Sequence, residues 1–223
     1  MITLCLDAST YVGDVAVLRD GTVLAEESIA MKGADHERLM PAVASVLDKS
    51  GVAVRDVDRV VCGAGPGSFT SLRIAGAIAK GIASGGGKPL YAVPSMALMI
   101  AGASLPAGRY LVAVDALRGE FYVGLYSVEP DTARTIIEHE RARLVHGDDV
   151  DRIAEEYEAR VVTPTLRPHA IEALPLARGL ARLESSGTGL AQVDVNSWEP
   201  SYGRLAEAQV KWEKAHGRPL SAG

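Results

Sequence analysis

The feature that most constrains this chain is a pattern that occurs twice. Residues 2–7 (ITLCLD) form an apolar run ending in an aspartate, and residues 110–115 (YLVAVD) repeat it. A second β-type run follows each time, 15–18 (VAVL) after Asp7 and 121–126 (FYVGLY) after Asp115. A third follows in both units, 22–29 (TVLAEESI) and 134–140 (RTIIEHE). Short apolar runs bounded by turn residues read as strands. Asp20-Gly21 between the second and third runs is the signal of a tight hairpin. Two units that each open strand–Asp–hairpin predict a duplicated, two-domain fold. The first is expected over 1–105 and the second over 106–199, with the break at Pro106-Ala107-Gly108.

Within the first unit, residues 36–50 switch to helical spacing, with Leu39, Val43, Val46 and Leu47 on one face. Pro41 must then sit in the first turn, and Gly51 is a stop. A strand at 59–63, a glycine loop, a helix over about 69–84, a strand at 90–93 and a helix at 95–103 follow. This alternation predicts α/β layers. In the second unit a helix is expected at 148–158, a strand at 160–163 and an Ala/Leu-rich helix at 169–184. No glycine loop recurs there, so the second unit is a reduced copy. A last amphipathic helix, 203–216, carries Leu205, Ala208 and Trp212 on one side and is expected to join the first unit.

Composition narrows the function. Lysine and arginine total 23 against 28 aspartates and glutamates, a net charge of −5 that suits no protein gripping nucleic acid by itself. Aromatic residues are 5% of the chain, too few for base-stacking platforms. Cys5 and Cys62 lie inside apolar runs and read as small buried hydrophobes, consistent with a reducing compartment. No run of 18 apolar residues predicts a membrane span, and the start lacks a basic segment followed by an apolar one. A cytoplasmic protein is expected.

Two motifs carry possible chemistry. The loop Gly63-Ala64-Gly65-Pro66-Gly67-Ser68-Phe69-Thr70 follows a strand and opens a helix, a geometry that suits anions. It lacks the lysine of a Walker A loop. It also lacks the third glycine and downstream acid of a dinucleotide fingerprint. A tight turn that seats the helix on the sheet explains it equally well. The second motif is Asp7-Ala8-Ser9-Thr10 at a hairpin tip, where a carboxylate and hydroxyls could hold a hydrated Mg²⁺ and phosphate oxygens. Local turn hydrogen bonds are the alternative, and the repeat at Asp115 favours function. The five histidines show no helical pairing for a metal, and no G-x-S-x-G elbow is present.

The 69–84 helix is apolar over most of its circumference. Leu72, Ala75, Gly76, Ala79, Ile82 and Ala83 share one side, and Ile74, Ile78 and Gly81 another. Such a helix must be covered twice, once by its own sheet and again by further core or by a partner. Both readings stay open, and small side chains would let a second helix approach closely.

Six collinear segments then resemble the TsaB family, also called YeaZ: ITLCLDAST, HERLMPAV, GAGPGSFTSLRIAGAIAKGIA, PLYAVPSMALM, VAVDALRGEFYVGLY and EPSYGR. The resemblance implies an actin-like, sugar-kinase-like (ASKHA) duplicated fold and a role in forming N6-threonylcarbamoyladenosine in tRNA. It implies a non-catalytic scaffold that pairs with the transferase TsaD, supports the ATPase TsaE, and forms a homodimer when alone. It further implies that tRNA is met only through the complex. The metal-bearing histidine pair of TsaD corresponds here to Ser95 and Met99, neither a suitable ligand, so no metal and no catalytic residue are expected. A vestigial nucleotide site is expected at Asp7, Ser9, Thr10, Gly65, Gly67 and Asp115, binding ATP or ADP weakly at most. Ser71 and Ala75 stand where the family commonly has glycine and are expected to crowd it. The implied partner surface comprises Leu39, Met40 and Val43 on the first helix with Leu72, Ala75, Gly76, Ala79, Ile82 and Ala83 on the second. An ATPase or small-molecule kinase of the same fold, and a peptidase, are the competing readings.

Overall fold

The computed structural model describes residues 1–31, 37–187 and 189–202. The helix expected over 203–216 lies outside these residues, as does residue 36. Strands β1 (Ile2–Asp7), β2 (Val12–Arg19) and β3 (Thr22–Ala30) form an antiparallel meander. Its second hairpin turns on Asp20 (φ 50°) and Gly21 (φ 77°). Two left-handed residues match the twist of the flanking strands, which is why Asp-Gly is found there. Helix α1 (Leu39–Ser50) begins where the Glu37 carboxylate accepts the amides of Leu39 and Met40. Pro41 sits in that first turn, where no intrahelical N–H is needed.

Strand β4 (Arg59–Gly63) returns parallel to β1. Helix α2 (Phe69–Gly86) follows, then β5 (Leu90–Val93) parallel to β4, and then helix α3 (Ser95–Gly102). The second unit repeats the scheme. Strands β6 (Gly108–Asp115), β7 (Glu120–Val128) and β8 (Ile136–His146) make a meander. After α4 (Asp149–Glu156), β9 (Arg160–Thr163) pairs parallel to β6 and β10 (Ile171–Glu172) parallel to β9. Helix α5 (Leu180–Ser186) and β11 (Ala191–Val193) follow. The sheet orders are β11-β5-β4-β1-β2-β3 and β10-β9-β6-β7-β8. Without β11, the two orders are the same, so the repeat in the sequence is a repeat in topology. This is the duplicated α/β arrangement of the actin-like, sugar-kinase-like fold. Strand β11 pairs antiparallel with β5, so the stretch expected to form the second unit sends its last strand back to the first sheet.

One expected element is replaced. Residues 169–184 are not a continuous helix. Ile171–Glu172 extend along β9, and helix resumes only from the single 3-10 turn at Ala177–Gly179 into α5. Pro175 accounts for this, since it lacks an N–H and disfavours helical backbone in the residue before it.

The layers alternate. One face of the first sheet (Leu4, Leu6, Val15, Val17, Val60, Cys62) packs under α1 and α2. Its other face (Cys5, Ala16, Leu18, Val61, Val93) shares a core with α3, α5 and the inner face of the second sheet (Tyr110, Val112, Tyr122, Tyr126). The outer face of the second sheet (Leu111, Ala113, Val123, Leu125) is covered by α4. All eight residues of α3 are buried, as befits a helix between two sheets. Cys5 and Cys62 point to opposite faces, both buried, and burial pushes both thiols up. Among the described residues no helix is long and apolar enough to cross a membrane.

A buried carboxylate ties these layers. Asp14 on β2 is 2% exposed, and its Oδ1 accepts the amide of Ala177, 2.6 Å away, where the helical stretch toward α5 starts. Ser28 donates to the other oxygen. Burial raises the Asp14 pKa to about 6; the bonds from Ser28 and Ala177 oppose this, and Glu26 and Asp7 add to it. The folded state therefore holds this proton more tightly than the unfolded chain. Its contribution is fully present below the unfolded pKa near 4 and is lost as pH rises through 6. The loss amounts to at most about 3 kcal/mol, and Asp7, also raised by burial, pushes the same way. Asp14→Asn keeps an acceptor for Ala177 and removes the titration. Urea midpoints should then show the stability of the variant, relative to wild type, rising between pH 4 and pH 7. A constant difference across that window would exclude the Asp14 titration as its source.

Candidate functional site: the glycine loop

The site is built at the ends of β1, β4 and β5, where α2 and α3 begin. Asp7 ends β1 and is fully buried. An anion removed from water must be hydrogen-bonded or become neutral. Here Oδ1 accepts the backbone amide of Ser9 (2.7 Å) and its hydroxyl (2.8 Å), and Oδ2 accepts the hydroxyl of Ser95 at the start of α3. Burial pushes the Asp7 carboxyl up, and the bonds from Ser95 and Ser9 pull against it. Thr10 closes the turn on itself: its hydroxyl donates to Val12 O (3.1 Å) and accepts the Val12 amide (3.2 Å).

The loop after β4 is satisfied in the same inward manner. The amide of Ala64 donates to Val93 O (2.7 Å), that of Gly65 to Ser95 Oγ (2.9 Å), and that of Ser68 to Ser9 O (2.7 Å). Ser201 donates its amide to Ala64 O at 2.8 Å. The three glycines are required by these contacts. A Cβ on Gly63 would collide with the Asp7 carboxylate, and one on Gly67 with the Ser9 carbonyl. One on Gly65, whose φ is +83°, would come within 2.5 Å of Ser201 O. Each glycine thus admits a piece of the same chain, which differs from a loop whose free amides await a phosphate.

The structure brings Asp7, Ser9, Gly65 and Gly67 together, with Thr10 in the adjoining turn. It does not bring Asp115 into this network. That carboxylate is exposed on the second sheet and accepts the amide of Leu117 (2.7 Å), a local turn. Ser71 bonds to Ser68 Oγ (3.0 Å) near the loop, but Ala75 lies fully buried over the sheet and does not crowd it. Ser95 was legible only as a missing metal ligand. Its role here is to bridge Asp7 and Gly65. Its companion Met99 is fully buried in the central core. Among the described residues no group of three His, Cys, Asp or Glu is placed to hold a metal ion. Ser127 lies 2.8 Å from His139 Nε2, but its hydroxyl donates to Glu129 Oε1 (2.7 Å), so that histidine is not its base.

Most of the positions expected to face a partner are turned inward. Leu39, Val43, Leu72, Ala75, Ala79 and Ala83 are fully buried in the chain's own core. Gly76 is covered by Pro200 and Trp198. These positions therefore cannot present a surface to a partner. Small residues let α2 lie close on the sheet, and that use exhausts them. Met40 is 45% exposed and Ile82 is half-buried, so both remain available. The exposed line of α2 runs through Ala77 and Gly81, with nothing within 4 Å of a Cβ placed on Gly81, and is flanked by Ile74 and Ile78, which are half-buried against the same core.

Comparison with known proteins adds independent relations. The family model for TsaD, tRNA N6-adenosine threonylcarbamoyltransferase, matches residues 23–192. The tRNA threonylcarbamoyladenosine biosynthesis protein TsaB of Bacillus subtilis is 31% identical over 95% of this chain and 98% of its own. The Escherichia coli protein of the same name is 33% identical over 66% of this chain and 69% of its own. A crystal structure of YeaZ from Pseudomonas aeruginosa superposes with a TM-score of 0.72 at 28% identity, covering 89% of this chain and 98% of that one.

The glycine contacts set a test. Gly63→Ala and Gly67→Ala insert a methyl against a buried carboxylate and a backbone carbonyl, neither of which has room to move. Overpacking of this kind costs about 1–3 kcal/mol or more. Gly81→Ala, in an exposed helix interior with open space, should stabilise by about 0.5–1 kcal/mol. Thermal melts are expected to place Gly63→Ala and Gly67→Ala below wild type and Gly81→Ala above it, and wild-type melting of Gly63→Ala and Gly67→Ala would show that the loop is not packed as described.

Proposed function

Because the chain belongs to the TsaB family, we propose that it serves as the non-catalytic scaffold subunit of the assembly that forms N6-threonylcarbamoyladenosine in tRNA, pairing with the transferase TsaD. The observation that carries this reading is the Asp7 carboxylate, buried and saturated by Ser9 and Ser95. A phosphoryl-transfer site needs a carboxylate open to a hydrated cation and loop amides open to phosphate oxygens. In this chain Asp7 is taken up by Ser9 and Ser95, and the amides of Ala64, Gly65 and Ser68 by Val93, Ser95 and Ser9. The scaffold needs no cofactor, binds ATP or ADP weakly at most, and leaves the chemistry to its partner. TsaE joins the larger assembly, tRNA is met through the complex, and without TsaD the same surface closes a homodimer.

The face proposed for TsaD is the outer crest of α2, the exposed Ala77 and Gly81 with the half-buried Ile74 and Ile78 beside them, flanked by Met40 of α1. A charge there would be buried unpaired in the complex but solvated in the free chain. Ala77→Glu should therefore weaken the complex at least tenfold, equivalent to about 1.4 kcal/mol or more, and leave the monomer folded. Ala79→Glu, two residues away but fully buried over the sheet, should instead unfold it. Light scattering reads the mass, circular dichroism the fold, and a reconstituted tRNA modification assay the function. Undiminished modification without this chain would end the scaffold reading. Rapid ATP turnover by the pure chain, abolished by Asp7→Ala, would establish the kinase-like one in its place.

A further inference from the structure

Helix α2 is poorly made by its own sequence. Four of its residues, Gly76, Gly81, Gly85 and Gly86, are glycines, and each interior glycine weakens a helix relative to alanine. Its N-cap Ser68 makes no side-chain capping bond, its first turn carries no acid and its last turn no base. Helix α2 therefore depends on what packs around it. The sheet holds one side through Ala75, Ala79 and Ala83, and the buried Leu72 packs by Gly65 of the glycine loop.

A second support lies along its flank. The chain leaves β11, makes a turn capped by Asp194 on the amides of Asn196 and Ser197 (both 2.9 Å), and runs over α2 toward the glycine loop. The Trp198 carbonyl accepts the Lys80 ammonium at 3.0 Å. Pro200, itself buried, fills the notch at Gly76, where a Cβ would come within 3.1 Å of its ring. Ser201 holds Ala64 O. The Tyr202 ring packs tilted against Phe69, the first residue of α2, with centroids 4.6 Å apart, and its carbonyl accepts the Tyr122 hydroxyl of the second sheet at 3.4 Å. One short strap thus grips α2 at its first residue, at its notch and at its middle.

We propose that residues 194–202 are a conformational splint for α2: the strap keeps the N-terminal half of the helix formed, and so sets how much of the chain is competent to bind through the α2 crest. When only a fraction of a protein holds the competent conformation, its apparent affinity falls by that fraction. Displacing the strap would then lower partner affinity without touching the crest. The affinity half of this inference rests on the partner surface proposed above; the helix-order half stands on the contacts alone.

The test is hydrogen exchange on the full chain, comparing wild type with Pro200→Gly/Tyr202→Ala and, separately, with Lys80→Met. Amides of residues 72–80 are expected to exchange about tenfold faster in the double variant, and less so in Lys80→Met, while those of β1 and β4 stay unchanged. Titration with TsaD should show about a three- to tenfold weaker complex for the double variant. Unchanged exchange across α2 overturns the splint. Faster exchange with wild-type affinity overturns its link to binding, provided Ala77→Glu abolishes the complex. If Ala77→Glu also binds normally, the partner surface falls instead, and exchange alone decides the splint. The milder Lys80→Met variant keeps the test decisive if the double variant does not fold.

Discussion

A carboxylate placed at zero exposure governs the architecture of this end of the molecule. Asp7 cannot remain charged there unless donors surround it, and the donors come from two places, the turn that follows it and the first residue of α3. That requirement fixes the turn through Ser9. It also brings the start of α3 against β1, and allows only glycine at position 63. Ser95 then serves a second acceptor–donor pair by taking the amide of Gly65, so the conformation of the loop is set by the same hydroxyl. The network is worth more than its individual bonds. Removing one partner leaves a buried group unpaired, a larger loss than the bond's net contribution.

What the amino-acid sequence revealed was local. The paired strand–Asp–hairpin units, the Asp20-Gly21 turn and the alternation of strand and helix could be read from short windows, because each depends on neighbours within a few residues. The closure of the loop could not. Asp7 and Ser95 are 88 residues apart in the chain, and a serine carries no mark of which buried carboxylate it will meet. The segment 169–184 departs from its sequence signal for a different reason. Its Ala and Leu content fits a helix, but Pro175 and a free strand edge beside β9 act on its first half and outweigh propensity.

Helix α2 shows how apolarity alone underdetermines orientation. Two sides of α2 are apolar, and small residues permit close approach to a partner helix. The same physics applies to a sheet. Ala75, Ala79 and Ala83 bring the axis of α2 down onto β1 and β4, and the bulkier isoleucines are left half-buried at its flanks. Met40 and Ile82 survive as surface positions because they lie off the line of closest packing.

The pairing of β11 with β5 has a temporal meaning. Strand β5 ends at Val93 and its neighbour begins at Ala191, so the first sheet keeps an open edge while roughly a hundred residues of second unit are made. At ribosomal speeds of about 5–20 residues per second, that interval lasts on the order of 5–20 s. During it an unpaired strand, and a glycine loop without Ser201, stand exposed on the nascent chain. The first unit is therefore finished last, its edge strand supplied only after the second unit has been made.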